Sequence, residues 1–169
     1  MKNLYVNATK PLITLFAFLT IFGLNHSCKK AVEKTQEKLI EQSIGDNAEV
    51  DIDDEKVVIK TEEGTFTTDA TQHDWPSEIP DEIPEFTEGK IVMVNIQEMT
   101  DGNNWVVIFE EVSQEAFEDY KKQLEDENFN INFTTKAGRG IHFAAEKDNL
   151  VVMLMGDEKG ATLSINVQK

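Results

Sequence analysis

The sequence predicts an α+β domain: a twisted antiparallel sheet of about six strands with one helix packed on one face, preceded by a β-hairpin and a helical tether. Three observations carry this reading. Alternating apolar and polar runs recur from Ile91 to Val167, separated by turn residues such as Asp101-Gly102, Gly138 and Asp148-Asn149. That is the pattern of half-buried strands. Within this region, segment 114–127 alone switches to helical spacing, with Phe117, Tyr120 and Leu124 at i, i+3 and i+7. The links between strands are too short for parallel crossovers, so neighbours pair antiparallel.

The elements follow in order. Residues 1–27 read as an export signal: Lys2 and Lys10 without any acid, the uncharged run Pro11 to Leu24, then Asn25, His26 and Ser27. The run of 14 residues reaches about 21 Å as a helix, short of the roughly 30 Å hydrocarbon core. A permanent span is therefore disfavoured. Residues 28–48 are a lysine-rich, partly helical tether with a thin apolar stripe of Val32, Leu39 and Ile40. Gly45-Asp46-Asn47 ends it.

Residues 49–169 form the acidic domain. Its first part, 49–70, reads as a hairpin, with Val57-Val58-Ile59 answered by Thr65-Phe66-Thr67 across Glu62-Glu63-Gly64. Residues 71–89 carry prolines at 76, 80 and 84. The residue before each proline is pushed out of the helical region, so an extended, apolar-studded strap is expected. Residues 90–169 hold the sheet and its helix. Ser113 is placed to cap that helix, with Glu115 in its first turn. Trp105 to Glu110 and Leu150 to Met155 are continuous enough in apolar residues to be central strands. In the last strands Phe133 is expected on the core side. Asn132, Thr134, His142, Thr162, Ser164 and Asn166 are expected on an open polar face.

Cys28 is the only cysteine. With no second cysteine an intrachain disulfide is excluded, and Cys28 stands directly after the signal. Its thiol is the nucleophile able to take a diacylglyceryl group, and the freed amine can then be acylated. Two or more chains anchor stably where one does not. The segment resembles the lipobox of bacterial lipoproteins: Leu24 closes the apolar run, Ser27 precedes Cys28, and Lys29-Lys30 follow. It departs from that pattern at Asn25, where the family prefers Leu, and at His26. Beyond the anchor, the pieces AVEKTQEKLI, VDIDDEKVVIKTEEGTF, IPDEIPEFTEGKIV, FEDYKKQLEDENF and ATLSINV resemble a family of Gram-negative-type bacterial lipoproteins with a C-terminal domain of unknown function. The resemblance implies lipidation (palmitate among the acyl groups) at Cys28 and an envelope location, and it brings no catalytic residues.

The chain carries a formal charge of −16. Residues 28–169 hold 14 basic and 32 acidic residues, or −18, which opposes nucleic acid and anionic headgroups. Lys29, Lys30, Lys34 and Lys38 reverse the sign next to the anchor. Asp51, Asp53, Glu55 and Glu62 match an EF-hand count, but the glycine position is Lys56, so an acidic hairpin is the better account. His73 and His142 fall in different elements without a thiolate partner, so no metal site and no cofactor are expected. Ser43, Ser77, Ser113 and Ser164 lie in no nucleophile-elbow turn, and AGRG at 137–140 is a hairpin turn, not a phosphate cradle.

The function expected is therefore that of a lipid-anchored cell-envelope protein, non-catalytic, presenting its domain to a protein partner. By analogy, Lys29 in place of Asp after the cysteine points to the outer membrane, on its periplasmic side. The alternative is a domain that binds a small molecule, lipid or cation under the strap, with Trp75 as a lid. A hydrolase with an unrecognised carboxylate pair is a third reading.

Overall fold

A computed structural model describes residues 29–44 and 48–169. The signal segment and Cys28 lie outside the described residues. Helix α1 (Lys29–Ile44) precedes five strands, β1 (Glu49–Asp53), β2 (Lys56–Thr61), β3 (Gly64–Asp69), β4 (Lys90–Met99) and β5 (Gly102–Glu110). Helix α2 (Gln114–Asp126) follows, then β6 (Asn130–Ala137), β7 (Gly140–Lys147), β8 (Leu150–Asp157) and β9 (Gly160–Gln168). All nine strands join one antiparallel sheet in the order β1-β2-β3-β4-β5-β9-β8-β7-β6.

This corrects the expected architecture of about six strands and one helix, with the hairpin outside the sheet. The hairpin is part of the sheet, because β3 pairs with β4 from Gly64↔Met99 to Asp69↔Val94. Glu49–Asp53, expected only as the start of the hairpin, is a strand of its own on β2. The second helix is α1, which packs against β1. There the Glu41 and Glu37 carboxylates accept the outward N–H groups of Val50 and Ile52, at 3.4 and 3.2 Å. An edge strand with free N–H groups invites pairing with another chain, and α1 occupies that edge.

The placement of α2 follows from strand direction. Four antiparallel steps separate β5 from β6, so the two point the same way, and the chain must return along the sheet between them. Helix α2 makes that return. Its 13 residues span about 20 Å against about 26 Å for an eight-residue strand. Ser113 caps it, with its Oγ accepting from the Ala116 N–H at 3.2 Å. Asn128, at φ 66°, closes it. The Phe129 N–H reaches Leu124 O at 2.9 Å and the Asn128 N–H reaches Glu125 O at 3.0 Å, a Schellman ending with Asn in the left-handed position.

Helix α2 and the strap 70–89 cover one face together. Ala116, Phe117, Tyr120 and Leu124 of α2, Ile79, Ile83 and Phe86 of the strap, and Val94, Trp105, Val107, Phe143, Val152, Leu163 and Ile165 of the sheet form a single buried cluster. The strap is turned, not extended as expected. Ile79 donates to Pro76 O at 3.2 Å and Ile83 to Pro80 O at 2.9 Å. Pro76 and Pro80 thus each open a β-turn whose fourth residue is the isoleucine before the next proline. That residue is extended, as the proline after it requires. The four-residue period therefore repeats a turn and sets both isoleucines into the core.

Candidate functional site

The other face of the sheet is the candidate site, and it is assembled by register. Reading across the strands, one row is Thr135, His142, Met155, Thr162, Ile108 and Met93. The next is Phe133, Ala144, Met153, Ser164, Val106 and Asn95. A third contains Val151, Asn166, Asn104 and Gln97. The first two rows hold no charged side chain, in a chain whose charged residues make up 28%, and the third runs on from Val151 to Glu146. The Asn104 amide is held in place: its Nδ2 donates to Ile165 O at 3.0 Å and lies 3.4 Å from Ser164 Oγ.

His142, Thr162, Ser164 and Asn166 lie on this face as the alternation predicts. Phe133 and Thr134 do not follow it. A β-bulge between Ile131 and Phe133 inserts one residue and exchanges the two faces beyond it. Thr134 therefore pairs with core-facing Phe143, and Phe133 pairs with Ala144 on the open face. Asn132 is the inserted residue. Phe133 is 41% exposed, Met153 42% and Met155 53%, so the face is amphipathic, not polar. The Phe133 ring meets His142 edge-on, with centroids 4.8 Å apart and planes at 88°. The methionines were legible in principle. In Leu150 to Met155, Leu150, Val152 and Leu154 are buried while Met153 and Met155 are exposed. The strand is apolar on both faces, which hid the alternation.

Two clefts flank the sheet. One, of about 410 Å³, lies at the β4–β5 turn and the end of β9, lined by Gln97, Asp101, Asn103, Asn104, Asn166 and Lys169. Beside it, Asn103 Oδ1 and Trp105 Nε1 are buried without a hydrogen-bond partner among the described residues. The other, of about 270 Å³, lies between the start of α2 and the β6–β7 turn. Glu118 and Lys136 pair there, and the lysine's hydrogen bond holds the Glu118 carboxyl below its usual value.

The remaining sequence candidates are dispersed. Asp51 and Asp53 are on β1 and Glu55 is in the β1–β2 turn, while Glu62 lies beyond the far end of β2, so the EF-hand count does not converge. His73 Nδ1 sits 2.9 Å from Ile91 O, a structural bond at the root of the strap. Trp75 packs against the core cluster, and Pro76 is fully buried, which seats the expected lid as part of the core cover. Among the described residues no three His, Cys, Asp or Glu side chains are grouped to hold a metal ion, and no helix is long and apolar enough to cross a membrane.

No family model, curated protein or solved structure matches the chain. The face described above must therefore be read from its own chemistry.

Proposed function

We propose that this chain is a lipid-anchored protein of the bacterial cell envelope whose uncharged sheet face docks reversibly onto a protein partner. The anchor rests on Cys28 and its resemblance to the lipobox. The observation that carries the docking surface is the uncharged face itself. Loss of charge, with Met and aromatic side chains exposed among amides, is the composition of an interface core.

The size of the face sets the kind of contact. Six strands at about 4.8 Å spacing, crossed by rows about 6.8 Å apart, give roughly 300–400 Å² in projection. That equals a large single patch on a monomer and falls below the roughly 800 Å² per partner of a permanent complex. A transient partner with its own apolar, uncharged patch fits. The charge of −16 around the face steers acidic surfaces away and favours approach by a basic rim.

Two measurements test the reading. A photo-crosslinking residue at position 164 or 106, on the open face, should give one discrete adduct in intact cells. The same residue at position 125, on the exposed side of α2, should not. Identical adducts from both positions, or none from the face, would remove the docking reading. Labelled palmitate should enter the native chain and not Cys28→Ala, and label in that variant would remove the anchor.

A further inference from the structure

We propose that His142, Met153 and Met155 form a binding site for a soft monovalent metal ion, Cu(I). His142 and Met155 are direct partners across the β7–β8 ladder, which sets their Cβ atoms about 4.5–5.5 Å apart. Met153 stands two residues along the same strand and the same face, about 6.8 Å from Met155. It is diagonal to His142 at about 7–8 Å. One imidazole and two thioethers thus surround a single point above β7 and β8. Each methionine arm is unbranched with three rotatable bonds, so closing on an ion requires rotamer changes only and no backbone movement. Both arms are exposed, at 42% and 53%, with no neighbouring element to unpack.

The ligand set selects the ion. Thioethers favour Cu(I), and imidazole accepts it, whereas Mg²⁺ and Ca²⁺ require oxygen ligands. The nearest carboxylates stand one row out on either side of the trio, with Glu146 diagonal to Met153 and Asp157 two residues past Met155 on the same strand. Phe133 closes one side, with its ring edge-on to His142 at 4.8 Å, and Ala144 forms the floor between Phe133 and Met153. These side chains shield one side of the ion only, so selectivity rests on the softness of the two thioethers. The site lies on the face assigned to docking but does not depend on that assignment.

The test uses the full chain carrying Cys28→Ala, which removes the competing thiol, titrated anaerobically with Cu(I) against a chromogenic Cu(I) chelator. One Cu(I) per chain is expected. His142→Ala, Met153→Leu and Met155→Leu should each weaken binding at least tenfold, while Met93→Leu and Met99→Leu should not. Ag(I), titrated as a redox-inert probe, should shift the Met153 and Met155 methyl resonances and leave those of Met93 and Met99 in place. The proposal is overturned if the chain fails to compete with the chelator, if the five variants bind alike, or if Zn²⁺ displaces Cu(I) at equal concentration. No partner protein is present in this assay, so its failure leaves the docking reading untouched.

Discussion

Phe86→Ala tests the strap as a cover of the core. Phe86 is 3% exposed. Its ring lies 4.9 Å from Phe109 at 70°, 5.2 Å from Tyr120 at 89° and 6.4 Å from Phe117. It therefore clasps the strap to both β5 and α2. Truncating a buried Phe to Ala costs about 3–5 kcal/mol. The strap can relax around the gap, so about 3–4 kcal/mol is expected. Set against a typical domain stability of about 5–15 kcal/mol, this is a large fraction. With a urea slope of about 2 kcal/mol per M, the midpoint should fall by close to 2 M. Urea melts followed by circular dichroism measure it. Tyr120→Phe removes the hydroxyl that donates to Pro84 O at 2.9 Å and should cost about 1 kcal/mol. A double-mutant cycle with Phe86→Ala and Tyr120→Phe then isolates their coupling, which is small because the two rings remain free to pack until Phe86 is removed. A loss below 1 kcal/mol for Phe86→Ala would refute the clasp.

Two further outcomes follow from local geometry. Asp69 is buried, and burial pushes its carboxyl up. The Thr71 hydroxyl at 2.7 Å, the Thr71 N–H at 2.8 Å and the Lys56 ammonium at 3.1 Å outweigh that and hold it below its ordinary value of 3.8. A carboxyl lowered by folding stabilises above its unfolded pKa, and the effect is lost as pH falls through the folded one. Asp69→Asn should thus cost about 1–3 kcal/mol at pH 7. Its deficit in melts repeated at falling pH should shrink below about pH 4, and a deficit independent of pH would refute the assignment. At Gly64, φ 154°, an added Cβ would lie 2.1 Å from Glu98 O. Gly64→Ala should therefore break the first β3–β4 rung, lower the melting temperature by several degrees and speed amide exchange at Met99, whereas unchanged exchange there would refute it.

Much of the fold was written in local pattern. The Ser113 cap, the Phe117-Tyr120-Leu124 stripe and the alternation in β7 and β9 depend on residues a few positions apart, and each stands where the pattern put it. The central place of Trp105 to Glu110 was also legible, because a strand apolar on both faces needs a covered neighbour on each side. The misses share a cause. A bulge at Ile131–Phe133 leaves no mark in residue type, yet it reverses which face every later residue of β6 occupies. The strap was misread because a proline fixes its own φ and its predecessor's region, but not whether its carbonyl accepts a bond three residues later.

Taken alone, the sequence determined the α+β class, since periodicity is a property of neighbours, and it is the sole basis of the anchor proposed at Cys28. Only the tertiary structure decided that the hairpin belongs to a nine-stranded sheet. The β3–β4 pairing closes a loop of 20 residues, 70–89, at about 1.4 kcal/mol more than a four-residue turn. That cost is offset by the burial of Ile79, Ile83 and Phe86 beneath it, and burial is settled between residues far apart in the chain. The open face has the same origin: His142, Met153 and Met155 become neighbours only because β7 and β8 pair in one register. A shift of a single residue would have turned both methionines into the core.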